Sequence, residues 1–96
     1  MNNKNSIKVV HIFITGRVQG VFFRQSTRVM AIKNNVSGWV SNLDDGRVEI
    51  VAQGQEQDID NLSNWCKTGP ANSRVDEFEL KEESITEEFK NFEVRY

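Results

Sequence analysis

The sequence predicts an α+β domain in which two helices cover one face of an antiparallel sheet. Three observations carry that reading. Runs of β-branched residues alternate with runs at helical spacing, in the order β-α-β-β-α-β with a short strand after it. An Asp45-Gly46 pair stands between two strand-like runs, a strong hairpin signal. The chain has 96 residues, 38% of them hydrophobic, which suits one domain with one compact core.

The elements follow in order. Residues 1 to about 6 are polar and read as a poorly ordered start, so the single domain runs from 7 to 96. Residues 7–15 are β-branched and aromatic, nearly continuous in apolar character, which predicts a central strand ended by Gly16. Residues 16–21 form a loop with glycines at 16 and 20. From Phe22 the period changes: Phe23, Thr27, Met30 and Ala31 share one helical face, and Asn34 and Asn35 end the helix. Residues 36–42 read as a second strand, and 47–53 as the return strand of the hairpin. In the latter Val48, Ile50 and Ala52 share one face, with Glu49 and Gln53 on the other. Residues 55–68 carry Ile59, Leu62 and Cys66 at helical spacing, stopped by Gly69-Pro70. Arg74 to about Glu82 is a polar, edge-like strand. Its apolar positions shift from odd (Val75) to even (Phe78, Leu80), as a bulge or a late start would produce. Phe92, Val94 and Tyr96 alternate as a short final strand.

This order is the split βαβ, ferredoxin-like arrangement. It makes a geometric prediction. If the first strand exits at the top of the sheet, the helix after it descends and the second strand rises to the same edge. The 16–21 loop, Arg24 in the first helical turn and Asn42 at the end of the second strand then meet.

Composition narrows the function. The net charge is -2, without the basic excess that nucleic-acid binding usually needs. An anionic ligand would therefore need a local cationic pocket. Cys66 is the only cysteine, so no intramolecular disulfide forms, which favours a reducing, cytoplasmic setting. One cysteine and one histidine, His11, cannot build an ordinary structural zinc site. No apolar run is long enough for a signal peptide core or a bilayer span. We expect neither a nucleic-acid nor a membrane partner, and a monomer.

The segment Gly16 to Arg24 has the parts of an anion site. Glycines let successive N–H groups converge, the loop feeds a helix N-terminus, and Arg24 adds a planar cation matched to phosphate oxygens. No Gly-Lys-Ser/Thr follows, so it is not a Walker A loop. On pattern alone, a tight turn with a surface arginine is the favoured reading. Asn42 likewise reads first as a turn cap, and Arg17 as a solvated loop charge. His11 has no partner motif and reads as structural. Trp39 and Trp65 read as core-edge residues, and Cys66 as a buried, inert thiol.

Two longer segments are more specific. Gly16-Arg17-Val18-Gln19-Gly20-Val21-Phe22-Phe23-Arg24 resembles the acylphosphatase signature Gly-x-Val-Gln-Gly-Val-x-Phe-Arg. Gly38-Trp39-Val40-Ser41-Asn42-Leu43-Asp44-Asp45-Gly46-Arg47-Val48-Glu49 resembles that family's second signature. Gln53-Gly54, Trp65, Gly69-Pro70, Val75 and Val94-Arg95-Tyr96 follow in family order. The resemblance implies a ferredoxin-like fold and metal-free hydrolysis of small acyl phosphates to a carboxylate and inorganic phosphate, with no cofactor. It implies a phosphate cradle from the backbone amides of Val18, Gln19, Gly20 and Val21, a phosphoryl-binding catalytic Arg24, and Asn42 orienting the attacking water. Lys33-Asn34-Asn35 departs from the Leu-Gly common in the family and leaves the helix end open to question. A non-catalytic domain of this family is the first rival, and the chain's end at Tyr96 favours the free-standing enzyme. An RNA-recognition module is the second. It would need an aromatic-rich central strand, and 47–53 has no aromatic residue.

Overall fold

The computed structural model describes residues 6–96. The expectation for residues 1 to about 6 lies, Ser6 apart, outside the described residues. The elements are β1 (Ile7–Arg17), α1 (Phe23–Lys33), β2 (Ser37–Asn42), β3 (Val48–Gln55), α2 (Glu56–Cys66), β4 (Arg74–Glu83) and β5 (Phe92–Arg95). The sheet order is β4-β1-β3-β2-β5. β1 and β3 are central, as their apolar runs predict.

Alternation decides the core. Val10, Ile12 and Ile14 of β1, Val40 of β2, and Val48, Ile50 and Ala52 of β3 are buried against the helices. α1 answers with Phe23, Thr27 and Ala31, and α2 with Ile59, Leu62 and Cys66. Each fully buried aliphatic or Phe side chain is worth about 1.5–3 kcal/mol relative to exposure. Thr27 is the one hydroxyl in α1's buried face, and it donates back to the Phe23 carbonyl at 2.7 Å.

The end of α1 is well capped, which answers the question raised by Lys33-Asn34-Asn35. Asn35 takes φ 59. The Val36 N–H donates to the Ala31 carbonyl at 2.8 Å, and the Asn35 N–H to the Ile32 carbonyl at 3.2 Å. That is the paired hydrogen-bond pattern of a Schellman stop, with asparagine in place of glycine.

Two expectations need correction. Gly16 does not end β1, which runs on to Arg17. At that point β1 steps from Thr15 to Gly16 while β4 steps from Glu77 to Val75, leaving Asp76 as an extra residue. This bulge explains the odd-to-even shift in β4. It also brings the β4 backbone so near that a Cβ on Gly16 would lie 2.1 Å from the Arg74 carbonyl oxygen. The hairpin signalled by Asp45-Gly46 is present; its loop is longer than a two-residue turn, closes from Leu43 to Arg47, and takes positive φ only at Gly46. Finally, the sheet is mixed rather than antiparallel, since β5 pairs parallel to β2. β4 descends at one edge, and residues 84–91 lead from its end to the opposite edge. Gln53 holds this connection, donating to the Glu87 carbonyl and accepting from the Phe89 N–H. β5 must then rise beside β2, which delivers Arg95 and Tyr96 to the top edge.

The face away from the helices explains His11. Its ring lies between Glu49, 2.7 Å from Nε2, and Glu83, 3.1 Å from Nδ1, and stacks on Phe13. Trp65 is half-buried at the core edge, as expected, against Phe23; Trp39, also half-buried, is instead on this outer face, edge-on to His11 and under the Arg95 guanidinium, because it alternates with the buried Val40.

Candidate active site

The loop after β1 turns its backbone outward because its side chains turn inward. Val18 and Val21 are buried in the core, while Gly20 between them is exposed at φ 76. No neighbour would obstruct a Cβ there, so glycine is demanded by the backbone angle rather than by space. The N–H groups of Val18, Gln19, Gly20 and Val21 have no backbone acceptor among the described residues. Gln19 fixes the loop in place: its Nε2 donates to the carbonyls of Leu43 (2.8 Å) and Arg47 (3.0 Å). The loop is thereby tied to the β2–β3 hairpin. That hairpin is braced in turn by Asp45, whose carboxylate accepts from the Arg47 N–H and guanidinium. These bonds, the backbone one foremost, hold the Asp45 carboxyl below its ordinary range.

The loop feeds α1, whose N-terminus has no side-chain cap and no acidic residue in its first turn. Its N–H groups and the positive end of its dipole are left for another anion. Phe22 stands at the N-cap in the left-handed region, φ 66 and ψ 25. For a bulky residue this costs about 1–2 kcal/mol.

Arg24 follows in the first turn. Its Nη1 donates to the Arg95 carbonyl at 3.3 Å, and its guanidinium lies 4.5 Å from the Tyr96 ring centre. It forms no ion pair among the described residues, so its charge is uncompensated. Asn42 ends β2 opposite Val48. Its Oδ1 is buried and has no hydrogen-bond partner. An unsatisfied buried acceptor costs about 1–3 kcal/mol, a cost that a hydrogen bond from a bound ligand or water would remove.

These groups meet as the topology predicts. A pocket of about 350 Å³ is lined by Val18, Gly20, Phe22, Phe23, Arg24, Gln25, Asn42 and Tyr96. The structure therefore brings together Arg24, Asn42, Val18 and Gly20; Gln19 and Val21 do not line this pocket. Arg17 lies outside this pocket and lines a shallower one with Phe22. Arg47 is paired with Asp45, and Arg28, which donates to the Phe92 carbonyl, lines a different pocket. Sequence reading missed three contributors: the side chain of Gln19, Gln25 and Tyr96. The alternation of Phe92, Val94 and Tyr96 signalled a strand but not where that strand ends. The pocket joins a loop whose amides lack backbone acceptors, a guanidinium without an ion pair and a buried acceptor, a set that can hold a tetrahedral oxyanion and one water.

Residues 10–94 match the family profile described as Acylphosphatase. The chain is 47% identical over 95 residues to an acylphosphatase of Rubrobacter xylanophilus, covering 99% of this chain and 86% of that one. It superposes on the acylphosphatase of Bacillus subtilis with a TM-score of 0.90 at 37% identity, covering 93% of this chain and 99% of that one. For the acylphosphatase of Coxiella burnetii the TM-score is 0.89 at 38% identity, covering 99% and 98%. With the profile spanning nearly all of it and the fold shared end to end, this chain belongs to the acylphosphatase family, whose function is the hydrolysis of acyl phosphates.

Proposed function

We propose that this chain hydrolyses small acyl phosphates by attack of water on phosphorus, with Arg24, Asn42 and the 18–21 loop as the working parts. The observation that carries the reading is one pocket that joins an uncompensated guanidinium to a buried, partnerless amide oxygen. The phosphoryl oxygens lie in the amides of Val18, Gln19, Gly20 and Val21 and against Arg24. Catalysis of phosphoryl transfer is mainly positioning and electrostatic stabilisation, which amide donors and a guanidinium can supply. They supply the positive charge that a metal ion supplies elsewhere, so the reading needs no metal and no cofactor.

Asn42 Oδ1 accepts a hydrogen bond from the water and holds its oxygen in line with the bond to be broken. The water oxygen forms the new P–O bond. The P–O bond to the carboxyl group breaks, and its electron pair leaves with the carboxylate. The water's proton passes to a phosphoryl oxygen. A carboxylate leaves without a proton from the protein, which is why the pocket needs no histidine. A lone buried cysteine fits a reducing cytoplasm. Charged side chains along the β4 edge fit a monomer.

Hydrolysis of benzoyl phosphate by the purified protein in EDTA tests the reading. Metal-independent turnover is expected. Arg24→Ala should lose about 10²–10³ in kcat, together with weaker inhibition by phosphate. Asn42→Ala should lose kcat while phosphate still inhibits. A folded wild type with no turnover overturns the assignment, and near-normal turnover in Asn42→Ala removes the water-holding role.

A further inference from the structure

Two aromatic rings at the mouth of the pocket are not explained by packing. Phe22 is 81% exposed and Tyr96 is 87% exposed, and both line the pocket with Arg24 and Asn42. Phe22 also occupies left-handed backbone, which glycine or asparagine would take with less strain. Neither burial nor backbone preference accounts for a phenyl ring at position 22, and strain kept at the mouth of a site points to function. Tyr96 is held: its hydroxyl accepts from Gln25 Nε2 at 2.9 Å, and its ring lies against the Arg24 guanidinium.

The direction of the reaction adds a second argument, which rests on the reading of the pocket given above. Attack and departure on phosphorus are roughly in line. The buried Asn42 oxygen puts the water at the inner end. The acyl group must then leave toward the open mouth, where the two rings stand.

We propose that Phe22 and Tyr96 form the acyl subsite, and that it favours acyl phosphates with an aromatic or other extended apolar acyl group over acetyl phosphate. The phosphoryl end is fixed by charge and amides whatever the substrate. Discrimination comes from apolar and aromatic contact with the leaving half, to which a methyl group offers little. An aromatic pair of this kind changes kcat/KM by about three- to tenfold.

The test is the ratio of kcat/KM for benzoyl phosphate to that for acetyl phosphate. Phe22→Gly removes the ring and relieves the backbone. Phe22→Ala removes the ring and keeps the strained angle. Both should lower the ratio about three- to tenfold, and Phe22→Tyr should keep it. Agreement between the glycine and alanine variants assigns the effect to the ring rather than to the strain. An unchanged ratio, or equal losses on both substrates, overturns the subsite while leaving the hydrolase reading intact. A folded wild type that hydrolyses neither substrate overturns both.

Discussion

Arg24 is set apart by what does not touch it. Its partners are a neutral carbonyl and a ring, which leaves its charge uncompensated, as the proposed phosphoryl contact requires. Its planarity matters as much as its charge. Arg24→Lys keeps the charge but loses the fork, the contact over Tyr96 and the fixed direction. We expect kcat for benzoyl phosphate to fall nearly as far as in Arg24→Ala, and recovery beyond a tenth of wild type would show that charge alone suffices. Gln19 acts at one remove, as a positioning residue. Gln19→Ala removes two side-chain hydrogen bonds, leaving the Leu43 and Arg47 carbonyls with only their backbone donors, and frees the loop from the hairpin. It should cost about 1–3 kcal/mol in denaturant unfolding and raise the inhibition constant for phosphate. The proposed backbone role of Gln19 comes only from the family signature, and its side-chain bonds to the hairpin were not legible at all. The carbonyls it binds lie more than twenty positions away, and only the finished topology brings them near.

At the scale of elements, local signals were read well and non-local ones poorly. The asparagines after α1 were read as a stop, and Asn35 provides one through its left-handed angle. Asn35→Ala should destabilise the domain by about 1–2 kcal/mol, whereas Asn35→Gly should match or exceed wild type; thermal unfolding separates the two. Gly16 was misread, because glycine after a strand-like run looks like punctuation. Its cause is the β4 bulge, whose backbone leaves no room for a side chain. Gly16→Ala therefore forces two strands apart rather than merely straining one angle. We expect a larger loss of stability than for Asn35→Ala, with weakened phosphate binding, since the strand feeds the cradle two residues later. A variant of unchanged stability would mean that β4 gives way at Asp76 without cost.

Across the whole molecule, the meeting of the loop, Arg24 and Asn42 followed from β-α-β order alone, because strand directions fix which ends share an edge. The arrival of Tyr96 did not, since it depends on a connection that begins beside one edge strand and ends at the other. The common core beneath both gives the last prediction. Cys66 is fully buried on the inner face of α2, and burial pushes its thiol up to about 12, from an ordinary value of 9.0. The folded chain keeps this proton at a pH where the unfolded chain has lost it. Above pH 9 the unfolded state therefore binds fewer protons, and stability falls as pH rises through the window up to about 12. One proton contributes a slope of about 1.4 kcal/mol per pH unit. Other groups titrate there too, so the measurement is a difference. Denaturant unfolding of wild type and Cys66→Ala from pH 8 to 11 should show a constant offset from the lost packing, and on top of it a wild-type decline that the variant lacks. The same burial should keep the thiol unreactive toward a disulfide reagent until the domain unfolds, with labelling limited by the global opening rate. Rapid labelling of the native protein, or parallel pH curves for the two proteins, would place Cys66 in a region that opens on its own, and α2 would then have to be regarded as separable from the sheet that carries the site.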